Sequence, residues 1–140
     1  FLRYDREIAD AVFHVEFRYT AIEGGKGYNS GIYIRNSADG RIWHQGQIGS
    51  ASGGYLFGDT LVNGVKTRVN LSKALKEQRV KPAGEWNVCE LSARGPKITF
   101  RVNGAVTSEL PAVEVRKGFV GLEAEGYRIE FRNLKLKVLR

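Results

Sequence analysis

The stretch Asn29–Ser50, NSGIYIRNSADGRIWHQGQIGS, decides how this chain is read. Two short alternating runs flank a polar turn at Asn36–Arg41. In a strand, residues two apart share a face. Tyr33 and Arg35 therefore point one way together, and so do Trp43, Gln45 and Gln47. A sheet face built from Trp, Tyr, Arg and Gln is ill suited to a dry core, where each polar group needs a partner. It suits a groove that grips something polar and flat-sided, such as a sugar: the indole stacks on a pyranose face and the amides read hydroxyls.

The same period of two runs through the rest of the chain. Phe13, Val15, Phe17 and Tyr19 oppose His14, Glu16 and Arg18; Ile98, Phe100 and Val102 oppose Lys97, Thr99 and Arg101. Val120, Leu122 and Ala124 oppose Phe119 and Glu123, and Tyr127, Ile129 and Phe131 oppose Arg128, Glu130 and Arg132. Turn signals separate these runs, among them Asp39-Gly40, Asn63-Gly64 and Asn103-Gly104. Asn-Gly favours a two-residue hairpin because both positions need positive φ, so Asn103-Gly104 marks a hairpin. Only Leu71–Gln78 could be helical, and Asp59–Pro82 otherwise reads as a long irregular excursion. Many short strands at regular spacing predict an all-β sandwich of two antiparallel sheets.

The totals fit this picture. The chain has 140 residues, 42% of them hydrophobic, enough for one domain with a real core. Met is absent, position 1 included, which points to an internal segment or a processed chain. No apolar run is long enough to span a membrane. The net charge of +7 makes polyanions conceivable partners, but the basic residues are scattered. The densest run, Arg132, Lys135, Lys137 and Arg140, alternates with Leu134, Leu136 and Val138 as a solvated outer face does. Nucleic acid is therefore not the expected partner.

Cys89 is alone, so no intrachain disulfide forms, and its apolar neighbours make it core filler. Two His and one Cys do not make a zinc site. His14 reads as a surface residue and His44 as a partly buried one. Trp86 is expected in the core with Asn87 bonding backbone, and Asp59 and Asn63 read as turn residues rather than calcium ligands. Glu123 and Glu125 lie on one face of one strand. Paired carboxylates raise each other's pKa and can serve as acid and base; the plainer reading is ion pairing with Arg128 or a neighbouring Lys.

Six short motifs, in order, carry a resemblance. Asn29-Ser30-Gly31-Ile32 with Arg35 following, Gln47-Ile48, Pro82-Ala83-Gly84-Glu85-Trp86-Asn87, Asn103-Gly104, Gly121-Leu122 and Phe131-Arg132-Asn133-Leu134 together resemble the 3-keto-disaccharide hydrolase domain. The resemblance implies a concanavalin-like jelly roll from a secreted or periplasmic bacterial protein acting on oxidised glycosides; members usually have a further strand or two upstream. It also implies a chemistry. A ketone at C3 acidifies the hydrogen on C2, a base removes that proton, and the group on C1 leaves by elimination before water adds. The chain departs from the family pattern at its acids. Gln45 stands at the family's Glu and Ser50 at its Asp, while Glu123 and Glu125 stand at its Gln and His. The groove expected from residues and resemblance together uses Tyr33, Arg35, Trp43, Gln45 and Gln47, with Glu123 and Glu125 as acid and base, a saccharide as partner and no organic cofactor; a divalent cation remains open. The rival readings are a carbohydrate-binding module that kept the groove without the chemistry, and a basic interaction or adhesion domain.

Overall fold

A computed structural model describes residues 1–140. It is a sandwich of two antiparallel sheets. Eleven strands run in chain order: β1 (Leu2–Arg3), β2 (Ala11–Tyr19), β3 (Asn29–Asn36), β4 (Trp43–Ile48), β5 (Gly53–Val62), β6 (Val65–Asn70), β7 (Asn87–Arg94), β8 (Lys97–Val102), β9 (Ala105–Leu110), β10 (Phe119–Glu125) and β11 (Ile129–Val138). The first sheet has the order β1-β10-β3-β4-β5-β6 and the second β11-β2-β7-β8-β9. No helix is long and apolar enough to cross a membrane.

The core forms where the apolar faces of the alternating strands meet. Phe13, Val15, Phe17 and Tyr19 of β2, Cys89 and Leu91 of β7, and Ile98, Phe100 and Val102 of β8 pack against Ile32, Ile34, Ile48, Leu56, Val120 and Leu122 of the first sheet. Each such side chain contributes about 1.5–3 kcal/mol by leaving water. The sheets approach closely at Gly46, where an added Cβ would lie 2.8 Å from the Phe100 ring. Burial pushes the Cys89 thiol well above its usual range, as an inert core residue requires.

Both Asn-Gly pairs make two-residue hairpins, with φ of 51° and 75° at Asn63-Gly64 and 49° and 85° at Asn103-Gly104. The first corrects the expected excursion: Asp59 to Asn70 is a hairpin of β5 and β6, and irregular chain begins only at Leu71. The expected helix at Leu71–Gln78 shrinks to one 3₁₀ turn, Ser72–Ala74, with no side-chain cap. Trp86 is also corrected. It lies half-buried on the outer face of the second sheet, with the guanidinium carbons of Arg132 and Arg18 at 3.8 and 4.8 Å from its ring. Asn87 is buried as expected and accepts from the Lys81 amide at 2.8 Å.

The largest departure concerns Arg35. Tyr33 and Arg35 do not share a face. Between the pairs Tyr33↔Gly121 and Asn36↔Phe119, two β3 residues stand opposite Val120 alone. Such a bulge inserts one residue and reverses the alternation beyond it. Arg35 sits at φ 52° and turns inward, with no exposed surface. Its Nε donates to Ala9 O at 3.1 Å, Nη1 to Gly95 O at 2.6 Å and Val115 O at 2.9 Å, and Nη2 to Asp10 Oδ1 at 2.9 Å. Asp10 keeps 42% of its side chain exposed. The low end of the usual ~3–5 kcal/mol for breaking a buried pair therefore applies. Arg35→Ala should lose about 3 kcal/mol in urea unfolding; a loss below about 1 kcal/mol would show the guanidinium to be dispensable to the fold.

His44 is buried at 2% exposure. Its Nδ1 lies 3.1 Å from Ile34 O, and its Nε2 lies 2.9 Å from Thr60 Oγ1. The carbonyl contact assigns the proton to Nδ1, so Nε2 accepts from the Thr60 hydroxyl. Burial lowers its pKa from 6.5 to about 4. Between those values the unfolded chain binds a proton that the folded chain does not, so this stabilisation is complete above pH 6.5 and disappears as pH falls toward 4. At about 1.4 kcal/mol per pH unit, the full loss is about 3 kcal/mol. Glu16, whose pKa is lowered to about 2 chiefly by its bond to His14, destabilises the fold only at lower pH, on protonation. The unfolding free energy of the wild type should therefore fall more steeply between pH 6.5 and 5 than that of His44→Gln; identical slopes would contradict a neutral buried imidazole.

Candidate functional site

The outer face of the first sheet collects the side chains that alternation turns away from the core. Register decides which of them meet. Tyr33 pairs with Gln45 on one side and Gly121 on the other; Gly31 lies between Gln47 and Glu123; Asn29 pairs with Glu125. Gln45 pairs with Phe57, Trp43 with Asp59, and Asp59 with Arg68. Directly paired residues share a face about 5 Å apart, so residues up to 96 positions apart in sequence become neighbours.

A hydrogen-bonded chain crosses this face. Gln45 Nε2 donates to Gln47 Oε1 at 2.7 Å, Gln47 Nε2 to Asn29 Oδ1 at 2.6 Å, and Asn29 Nδ2 to Glu125 Oε2 at 2.9 Å. The Tyr33 hydroxyl donates to Glu123. The neighbouring Glu123 raises the pKa of Glu125, first as an acceptor for its protonated form and then by its charge. Burial raises the Tyr33 phenol, and the Glu123 carboxylate raises it further. Gly31 makes room for this arrangement: an added Cβ would lie 2.2 Å from the Gln45 amide nitrogen.

Aromatic rings flank the chain. Trp43 meets Phe57 edge-on at 5.0 Å and Tyr33 at 6.3 Å, and Phe1 meets Tyr33 at 5.2 Å. Trp43 Nε1 donates to Asp59 Oδ2 at 3.2 Å, and the Arg68 guanidinium lies 5.2 Å from the Trp43 ring. Arg68 also bonds Asp59, whose pKa it lowers. A depression of about 570 Å³ opens beside Tyr33 and Trp43, toward β1 and the β3–β4 turn.

Of the expected groove residues, Tyr33, Trp43, Gln45 and Gln47 therefore come together with Glu123 and Glu125, and Arg35 does not. Tyr33 and Gln45 are nearly covered, at 7% and 5% exposure, whereas Trp43 and Gln47 are half-buried. Ser50, at the family's acidic position, accepts from the Ala83 amide at 2.8 Å and so ties down a loop. No group of three or more His, Cys, Asp and Glu side chains is placed to hold a metal ion.

Sequence reasoning missed Asp59, Asn29 and Phe57 at this face. Asp59 was within reach. The Asn63-Gly64 turn fixes the hairpin register, and counting back from Val62↔Val65 pairs Asp59 with Arg68. Asn29 meets Glu125 through the pairing of β3 with the distant β10, which no local motif announces, and Phe57 meets Gln45 across the adjacent strands β4 and β5.

The fold has parallels among known structures. The carbohydrate-binding module CBM66 from Bacillus subtilis superposes with a TM-score of 0.70 at 11% identity, covering 95% of this chain and 78% of that one. A candidate glycosyl hydrolase from Parabacteroides distasonis gives a TM-score of 0.70 at 20% identity, covering 98% and 82%. The kappa-carrageenase of Pseudoalteromonas carrageenovora, solved with an oligotetrasaccharide of kappa-carrageenan, gives 0.60 at 14% identity, covering 90% and 54%. At these identities the likeness is one of fold, the jelly-roll sandwich of carbohydrate-active proteins. No curated protein matches the sequence significantly. The family model of the 3-keto-alpha-glucoside-1,2-lyase-like domain matches residues 1–137, nearly the whole chain, and the protein belongs to that family.

Proposed function

We propose that residues 1–140 form one carbohydrate-active domain that takes a 3-keto-glycoside in a groove on the outer face of the first sheet. The observation that carries this reading is the carboxyl pair Glu123–Glu125, bonded to Tyr33 and to the Asn29–Gln47–Gln45 amide chain, beside an aromatic wall. The pair places two carboxyls on one strand face, one for each proton transfer. Glu125, whose pKa is raised by its neighbour, holds a proton for the oxygen leaving C1. Glu123 takes the proton from C2. Tyr33 and Asn29 fix the two carboxyls, and Trp43 offers an apolar surface to the sugar ring. The domain acts outside the cytoplasm, periplasmic or extracellular, as its family suggests.

A second reading has its own support. Gln45 and Ser50 replace the two family acids, and the amide chain that remains is the kind that reads hydroxyls without chemistry. This is the carbohydrate-binding module, and one set of measurements separates the two.

With a 3-keto-glucoside as substrate, Glu123→Gln should lower turnover by about 10²–10⁴-fold, the usual contribution of a positioned acid or base, with little change in affinity. Unchanged turnover would remove Glu123 from the reaction. Binding without product in the wild type, erased by Trp43→Ala, would favour the module. Carboxyl titration by NMR gives a separate reading: in Glu123→Gln the Glu125 pKa should drop toward the ordinary carboxylate value, because its raising partner has lost its charge. An unmoved Glu125 would mean that the two carboxyls titrate independently.

A further inference from the structure

The depression of about 570 Å³ beside Tyr33 and Trp43 lies within the ~300–1,000 Å³ range of small-ligand sites, yet the carboxyl pair is not part of its lining. Its walls include Phe1, Arg3, Tyr33, Ser37, Asp39 and Trp43. The two edges thus differ in character: rings of Phe1, Tyr33 and Trp43 on one, a guanidinium and the polar β3–β4 turn on the other.

Arg3 is the one arginine in this lining. Asp59 pairs with Arg68 and Lys66, Glu16 with Arg132 and Glu130 with Arg18, but no carboxylate pairs with Arg3. Its Nη1 donates to Ala38 O at 3.3 Å, and that is the one bond its side chain makes. A guanidinium has five N–H donors, so most of its fork is free of protein partners. Its plane is already held, because its carbon lies 4.1 Å from the centre of the Phe119 ring. A stacked, unpaired guanidinium at the edge of an aromatic-walled depression is organised to receive a planar anion by two parallel bonds.

Asp39, in the same lining, opposes an anion, but its charge is already met. Its Oδ1 accepts from the Ser37 hydroxyl at 2.7 Å and the Arg41 amide at 3.0 Å, and the Arg41 guanidinium stabilises its ionised form. Arg3 has no such partner, so its charge is left for an incoming carboxylate.

We propose that this depression is a second sugar subsite that selects a uronic acid. The ring of the neighbouring sugar lies against Phe1, and its carboxylate takes the Arg3 fork. The proposal rests on the saccharide groove proposed above and adds to it the class of the second residue: a hexuronate rather than a neutral hexose.

The test is calorimetric binding of two disaccharides that differ at one group, a glucose–glucose disaccharide and its counterpart with glucuronate as the second ring. In the wild type the glucuronate form should bind about fivefold more tightly, the strength of a partly exposed ion pair. The preference should shrink in high salt. Arg3→Gln should abolish the preference while leaving affinity for the neutral disaccharide unchanged, and Arg3→Lys, which keeps the charge but not the fork, should retain part of it. Thermal melts of each variant verify folding. Equal binding of the two disaccharides to the wild type, or a preference that survives Arg3→Gln, would overturn the uronate subsite and leave the groove reading standing. Binding of neither disaccharide would overturn the uronate subsite; failure of a 3-keto-glucoside to bind as well would overturn the groove.

Discussion

One buried guanidinium holds an end of this sandwich together. Arg35 leaves β3 at a bulge, turns inward and binds the carbonyls of Ala9, Gly95 and Val115 and the carboxylate of Asp10. Those acceptors belong to the approach to β2, the β7–β8 turn and the approach to β10. Both sheets and three connections therefore depend on a single side chain. Asp10 reinforces the joint by also accepting from the Gly95 amide at 3.0 Å. A planar fork with fixed donor directions suits this role better than an ammonium, since each carbonyl must lie along an N–H. The bulge that turns Arg35 inward also preserves the outer placement of Tyr33, because alternation is reversed only beyond it. Gly118 permits the close passage, for a Cβ there would lie 2.4 Å from the Arg35 carbonyl carbon.

Much of the architecture could be read in the sequence because a period of two carries it. The inward rows of β2, β8 and β10 and the hairpin at Asn103-Gly104 follow from side-chain alternation and from the backbone demands of Asn-Gly. The expectations that failed share a cause. Arg35 obeys the alternation of its neighbours in sequence and breaks it in space, because a bulge depends on the partner strand and leaves no mark on the bulged one. Trp86 looked like a core residue by size. Its place is set instead by Arg18 and Arg132, which arrive from β2 and β11 to cover its ring. The segment after Asp59 looked irregular because β6 is short and buries no residue fully, so its alternation of Val65, Thr67 and Val69 with Lys66, Arg68 and Asn70 reads weakly beside that of the core strands. An edge strand of this composition also resists pairing with other chains.

The candidate site was legible as a set of residue types and not as a set of contacts. Trp43, Gln45 and Gln47 share a face by their spacing alone, as do Glu123 and Glu125. That the two groups meet depends on β10 pairing with β3 and β3 with β4, a consequence of topology. The tyrosine that binds Glu123 and the asparagine that binds Glu125 both come from β3, the strand between them.

That middle strand also gives the departures from the family pattern a geometric sense. Gly31 has no side chain, and the Gln45 amide leans into the space above it. Glu123 lies directly across from Gly31 on the other neighbouring strand. Gln45 from β4 and Glu123 from β10 thus approach the same gap over Gly31 from opposite sides. The Gln45 amide joins the chain that ends on Glu125. An alanine at position 31 would fill that gap and force Gln45 aside, since its Cβ would fall 2.2 Å from the amide nitrogen. The glycine of the Asn-Ser-Gly motif is therefore a requirement of the site's shape.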